Sequence, residues 1–253
     1  MPLLKWIEQL SQPKTFFNAK LEQSQYAPGQ SIGLTLYTQG GQHEEYIQTI
    51  QARITCQFNE LAQTYEQSKV LITQPTLAKN LLLQPKQHCQ NFYLIELPLN
   101  CPVSNSANKI NLDIVFFTAT GEVYTQTYPL IIRHTQLGTY FLNALTQLGF
   151  TQTLCWVNQN KLHKQATLNY IQKFKYNNTT NPDLPDDLSV TFCFETFIDY
   201  LDVHLQIQTA QLTTEKIKFN SRFSLTEPNF AHIKQSLNQL LIKSKKYDSF
   251  KIA

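Results

Sequence analysis

"EYIQTIQARITCQFNE", residues 45–60, decides the fold class. Tyr46, Ile50, Ala52, Ile54, Cys56 and Phe58 fall near one parity, the period of two that puts alternate side chains on one face of a strand. A helix would repeat its apolar residues at intervals of three and four instead. Working outward, "KTFFNAKLEQSQ" (14–25) leads into "YAPGQ" (26–30), and "SIGLTLYTQ" (31–39) places Ile32, Leu34 and Leu36 on one face. Pro28 presets φ for the first corner of a turn and Gly29 accepts the positive φ of the second, so a hairpin is expected here. Gly40 and Gly41 turn the chain again, and the strand texture continues through "TYEQSKVLITQP" (64–75), "NFYLIELPL" (91–99), "KINLDIVFFTAT" (109–120) and "TYPLIIRHT" (127–135). Strands of this length at short spacing predict an antiparallel sandwich.

The pattern breaks at "LNALTQLGF" (142–150). Leu142, Leu145, Leu148 and Phe150 follow a helical rhythm, and Gly149 suits a left-handed cap. Strands then resume in "LCWVNQN" (154–160), "ATLNYIQKFKY" (166–176), "SVTFCFETFIDY" (189–200), "LDVHLQIQT" (201–209) and "KIKFNSRFSL" (216–225). The expected organisation is therefore an N-terminal sandwich over 1–136, an interdomain helix over 137–150 that fills the seam, and a second sandwich over 151–253 ending in a basic helix. In that last element Thr226 is a capping residue and Phe230, Ile233, Leu237, Leu240 and Leu241 form a helical stripe. The polar, proline-containing stretch "NNTTNPDLPDDL" (177–188) reads as a surface loop free to vary.

Composition agrees with this reading. Charged residues are 15% of the 253, against roughly 25% in soluble proteins, and amides and hydroxyls take their place, as suits half-exposed strands. The formal net charge of +3 arises in residues 229–253, where Lys234, Lys243, Lys245, Lys246 and Lys251 face one acid, Asp248; the remainder is balanced to −1. A nucleic-acid-binding body would spread Lys and Arg over a face of the fold, so that partner is not expected. Cys56, Cys89, Cys101, Cys155 and Cys193 are widely separated, odd in number and lack a C-x-x-C pair, which predicts reduced thiols in a cytoplasmic protein. The opening "MPLLKWIEQL" has no apolar core of a secretion signal, and no run approaches the roughly 18 apolar residues of a membrane span.

At "YAPGQSIGL" (26–34) the chain resembles the first hairpin of arrestin-type sandwiches, in which a Pro-Gly turn is followed by a β-branched residue and a glycine. "NLDIVFFTATGEVYTQTYPLIIRH" (111–134), "YFLNALTQLGF" (140–150) and "YIQKFKY" (170–176) occur in the order and at about the spacing of bacterial sporulation-control proteins of the arrestin-like kind. The resemblance runs from about residue 1 to 210. It implies two tandem arrestin-like β-sandwiches and an intracellular adaptor, scaffold or regulator that binds other proteins without catalysis. Lys173 and Lys175 stand where the family pattern favours carboxylates, which changes the charge offered to a partner.

Chemistry-bearing motifs are sparse. No nucleophile elbow, phosphate-binding loop or dinucleotide fingerprint occurs, and no cofactor is expected. Asp202 and His204 would share a strand face as a surface pair, and Asp183, Asp186 and Asp187 lack the glycine and later glutamate of a calcium loop, so no metal is expected. Binding has better candidates. These are Lys173 and Lys175 on a strand that could be an edge, Ile233 and Leu237 with Lys243, Lys245 and Lys246 in the terminal helix, and the amphipathic "LLKWIEQL" with Leu3, Trp6, Ile7 and Leu10 on one side. An anionic membrane surface contacted by the two terminal segments is the alternative partner, and homo-oligomer formation through sheet edges stays open. An enzyme would need a concave pocket of convergent polar groups.

Overall fold

Alternation at the strand period and turns at fixed points give the same architecture in three dimensions. The computed structural model describes residues 15–59, 67–106, 108–119, 121, 123–159, 170–209, 217–224 and 230–249. Its strands are β1 (Phe16–Leu21), β2 (Gln25–Tyr26), β3 (Ser31–Gln39), β4 (Glu45–Asn59), β5 (Gln67–Thr73), β6 (Thr76–Leu83), β7 (His88–Glu96), β8 (Asn108–Thr118) and β9 (Val123–Ile132). Then come helix α1 (Gln136–Gln147), β10 (Phe150–Gln159), β11 (Tyr170–Asn178), β12 (Ser189–Thr196), β13 (Tyr200–Gln208), β14 (Ile217–Ser224) and helix α2 (Phe230–Ser249). The chain is mainly β, as its alternation predicts. It divides into two compact units: Met1–Gln57, Lys69–Pro98 and Lys109–Ile131 form the first, and Phe58–Ser68, Leu99–Asn108 and Ile132–Ala253 the second.

The first unit has a three-stranded sheet in the order β1-β3-β7 and a six-stranded sheet in the order β2-β9-β8-β4-β5, with β6 also paired to β4. Ile32, Leu34 and Leu36 of β3 are buried together, on the face the sequence assigns them. The predicted turn is present: Gly29 has φ 82° and the Gln30 amide donates to Ala27 at 3.1 Å. Between the layers, the Phe17 ring stacks on Phe116 at 3.9 Å, and the Ala19 amide donates to the Tyr128 hydroxyl at 2.9 Å. One detail departs from expectation. Ile47, not Tyr46, points into the core, and the inward parity of β4 changes between Ile47 and Ile50, both of which are buried. Tyr46 faces outward and donates to Asn80 at 2.6 Å.

The second unit is an antiparallel meander, β10-β11-β12-β13-β14. Its inner face carries Phe174 and Tyr176 of β11, Val190 and Phe192 of β12, and Leu201, Val203, Leu205 and Ile207 of β13, all buried. Helix α1 lies on that face: Phe141 meets Phe192 at 5.0 Å and Phe194 at 5.4 Å. Its buried stripe is Leu137, Phe141, Ala144 and Leu145, with Leu148 beyond, while Leu142 is only half-buried. Thr135 caps it by accepting the Gly138 amide at 3.3 Å. The helix expected to stand between domains therefore has its apolar side occupied within the second unit.

Gly149 ends α1 with φ 88°, and a Cβ there would lie 2.7 Å from the Asn181 amide nitrogen. This close approach belongs to 177–188, which is an organised loop and not the freely variable one the sequence suggests. The buried Asn178 side-chain amide donates to the carbonyls of Asn181, Leu184 and Pro185 at 3.0, 3.2 and 3.0 Å, and the Asn181 side-chain amide donates to the carbonyl of Leu148, the capping residue after α1, at 2.9 Å. Helix α2 packs on α1, with Tyr140 edge-on to Phe230 at 6.3 Å and the Lys234 ammonium donating to Gln147 at 3.0 Å.

Candidate binding surfaces

The strand that carries Lys173 and Lys175 is not an edge. β11 is hydrogen-bonded to β10 on one side and β12 on the other, so its backbone is already paired over the stretch that holds both lysines. Their side chains stand half-exposed on the outer face of the meander, in cross-strand rows that the register defines: Trp156, Lys173, Cys193 and His204 form one, and Leu154, Lys175, Thr191 and Gln206 the next. His204 Nε2 lies 3.0 Å from Glu195 Oε2, and Asp202 is the cross-strand neighbour of Glu195. His204 thus reaches a glutamate on the adjacent strand, a partner that the Asp202–His204 spacing did not show.

A cysteine, a histidine and a glutamate on neighbouring strands invite comparison with a nucleophilic site. The chemistry is against it. Burial pushes the Cys193 thiol up to about 11, Lys173 lowers it only in part and Glu195 raises it further, so the sulfur is a neutral thiol near pH 7 and not the thiolate that attacks. What remains is a flat surface of mixed sign, with Lys173 and Lys175 beside Glu195 and Asp202. Such a surface selects partners by charge complementarity.

A second polar cluster lies under the inner face of the meander and was not foreseen. The Cys155 sulfur accepts from Asn105 Nδ2 at 3.0 Å and Gln172 Nε2 at 3.4 Å, with Asn108 Nδ2 at 3.9 Å. Burial pushes this thiol up to about 11 against the opposing effect of the three amides. Gln172 also clamps the backbone of Val103, accepting its amide at 2.8 Å and donating to its carbonyl at 3.1 Å. Ser104 and Ile132 exchange two further bonds, at 2.9 and 3.0 Å, and Asn100 accepts the Thr196 amide at 2.6 Å. The cluster fastens residues 99–108 onto the second unit. Its only trace in the sequence is the amide-rich "NSAN" (105–108) beside an isolated Cys155, too common a pattern to single out.

The first unit offers an open edge. β7 ends the order β1-β3-β7, and no described strand pairs with its far side. The Leu97 amide donates to Gln30 and the Gly40 amide to Gln87, so in a continuous antiparallel register the odd-numbered residues between them bond β3. The backbone groups of Gln90, Phe92, Leu94 and Glu96 consequently face away from the sheet. Phe92 is 53% exposed and Leu94 65% exposed on the outer surface of the same strand. The sequence reading placed "NFYLIELPL" in a strand but did not recognise it as an edge, since strand order depends on pairings far apart in the chain.

The terminal candidates divide. Ile233 and Leu237 are 2% and 1% exposed, and Leu241 is buried beside them, so this stripe packs within its own unit and is closed to a partner. Helix α2 continues to Ser249 through Lys243, Lys245 and Lys246, whose side chains lie outside the described residues, as do all of 1–14 with "LLKWIEQL". Among the described residues no three His, Cys, Asp or Glu side chains gather as a metal site would require. No helix among them is long and apolar enough to cross a membrane.

These features define a mainly β protein of two units whose evident surfaces are sheet faces and a sheet edge. The chain belongs to the Spo0M family: the family model, described as SpoOM protein, matches residues 15–211. Its fold is that of Spo0M, the sporulation control protein from Bacillus subtilis, whose crystal structure aligns with a TM-score of 0.80 at 16% identity over 91% of this chain and 98% of that one. Among curated proteins, none matches this chain by sequence.

Proposed function

We propose that this protein is a non-catalytic regulatory adaptor that binds other proteins, and that β7 is where it grips an extended partner segment. One observation carries the reading: a run of outward-facing backbone groups from Gln90 to Glu96 coincides with the exposed side chains of Phe92 and Leu94. Strand addition draws affinity from the main-chain bonds and specificity from alternate side chains, and β7 supplies both. Membership of a sporulation-control family supports a regulatory role. The buried, protonated thiols of Cys155 and Cys193 supply no nucleophile, in keeping with a binding protein. An arrestin-like kinship and a cytoplasmic setting belong to the same reading. The mixed-charge face with Lys173 and Lys175 is the second contact surface, where partner choice is set.

A membrane-peripheral role would need a free apolar helix face. Ile233, Leu237 and Leu241 point into their own unit instead, which favours protein partners. The test uses the edge geometry. Gln90→Pro and Leu94→Pro each delete an outward-facing amide without touching a bond to β3, a place where an edge strand tolerates proline. Cross-linking capture from lysate of the source cells, with the parent chain beside these variants and Lys173→Glu with Lys175→Glu, should lose the same bands in both proline variants. Identical capture by all of the folded variants would end the proposal.

A further inference from the structure

The outer face of the three-stranded sheet sets aromatic rings and amides side by side. Cross-strand neighbours share a face, so the register defines its rows: Phe16 beside Gln39 and His88, Tyr37 between Asn18 and Gln90, and Thr35 between Lys20 and Phe92. All of these side chains are exposed except Thr35, which is half-buried. Each step from Phe16 to Tyr37 to Phe92 moves one strand across and one outward position along. The three rings therefore lie on a diagonal, about 8 Å apart at strand spacings of about 4.8 Å and same-face spacings of about 6.8 Å. Beside the first two rings the surface sinks into a hollow of about 390 Å³, lined by Phe16, Tyr37, Gln39, His88 and Gln90 among others. Lys20 and Glu96 stand on the same face and offset each other.

We propose that this face binds a proline-rich segment of another protein in the polyproline II conformation. That helix has three residues per turn and a rise of about 3.1 Å, so it presents the same side at intervals of about 9 Å, close to the ring spacing. One pyrrolidine ring per turn stacks on each aromatic ring, and the hollow receives the turn beside Phe16 and Tyr37. The carbonyls of such a segment make no internal hydrogen bonds and stay open as acceptors, and Asn18, Gln39 and Gln90 place side-chain NH2 donors beside the rings. With its charges balanced, the face has no excess of positive charge for an anionic lipid or a nucleic acid. That a protein segment is what binds here rests on the adaptor reading; the mode is a different one. Strand addition at β7 needs N–H groups on the incoming segment, and a run of prolines has none. The two modes are therefore chemically separable.

The probe is decaproline, acetylated and amidated at its ends, which cannot extend a sheet. It is titrated into the isotope-labelled full chain, and binding is read from amide chemical shifts at concentrations where sedimentation shows single chains. Shifts should gather on β1, β3 and β7 and include the side-chain amides of Asn18, Gln39 and Gln90. Tyr37→Ala and Phe92→Ala should each weaken binding about tenfold. Both positions are exposed, so their urea midpoints should stay near that of the parent, and Leu154→Ala, exposed on the second unit, should bind as the parent does. Absence of shifts on this face, or equal binding by the parent and both ring variants, overturns the proposal. Equal binding of a glycine-serine peptide of the same length overturns it too. Preference for cellohexaose or for phosphatidylglycerol vesicles would assign the rings to a glycan or to lipid, and shifts that grow with protein concentration without peptide would assign them to a second copy; each of these results also overturns it. None of them decides strand addition, which is read separately from capture by Gln90→Pro and Leu94→Pro.

Discussion

His134 shows how burial sets the chemistry of a single side chain in this molecule. Its ring sits 5.4 Å from that of Phe174 and 6.1 Å from that of Phe194, and the loss of water lowers its pKa from 6.5 to about 4. The imidazole is neutral in the folded protein at neutral pH. Below pH 6.5 the unfolded chain binds a proton there that the folded chain refuses, so stability is full above 6.5 and falls as the pH drops towards 4. The loss attributable to this residue approaches about 3 kcal/mol. Urea midpoints at pH 7 and pH 4.5 should differ less in His134→Phe than in the parent; equal differences would show that the ring is solvated. Asn178 makes the complementary case for a polar group. Its amide holds three carbonyls of the loop over 177–188, and Asn178→Ala should cost about 2–3 kcal/mol because those acceptors stay buried. A loss below 0.5 kcal/mol, the range of ordinary surface changes, would return the loop to its sequence-based description.

At the scale of elements, the local signals that survive folding are those with a local cause. The Pro28-Gly29 turn, the Gly149 end of α1 and the alternation of β3 are all visible in the sequence because each depends on neighbours a few residues away. The parity of β4 is only partly legible, since the strand buries both Ile47 and Ile50, and strict alternation does not allow both on one face. Helix α2 illustrates the same limit. Its stripe was legible, but whether a stripe faces a partner or its own unit is decided by packing. Leu237→Ala separates the two cases: as a core residue it should cost about 2–4 kcal/mol in urea denaturation, whereas a residue on a free face would cost close to nothing. Lys173 and Lys175 were placed on the right kind of strand and the wrong position in the sheet. Nothing in "YIQKFKY" reveals that β10 and β12 flank it.

For the whole molecule, the sequence shows two β-rich halves around a helix, and 16% identity to a relative with a TM-score of 0.80 indicates that this pattern tolerates wide substitution. It does not show that the second unit is built from three separate stretches of chain. Residues 99–108 look like a linker, with Pro98, Pro102 and a run of small polar residues, yet they cover the inner face where Cys155 and Gln172 lie. A fragment of residues 132–253 would lack this cover, leaving Gln172 without its two bonds to the Val103 backbone and the Cys155 sulfur without Asn105 and Asn108. Buried amides stripped of partners cost about 1–3 kcal/mol each, a large part of the stability of a unit this size. The fragment is therefore expected to bind a hydrophobic dye and to unfold over a broad urea range, and a synthetic peptide of residues 97–109 added in excess should sharpen the transition. A cooperative transition at the midpoint of the full chain without peptide would mean that the five strands and two helices close their own core, and that the contacts made by 99–108 only decorate it.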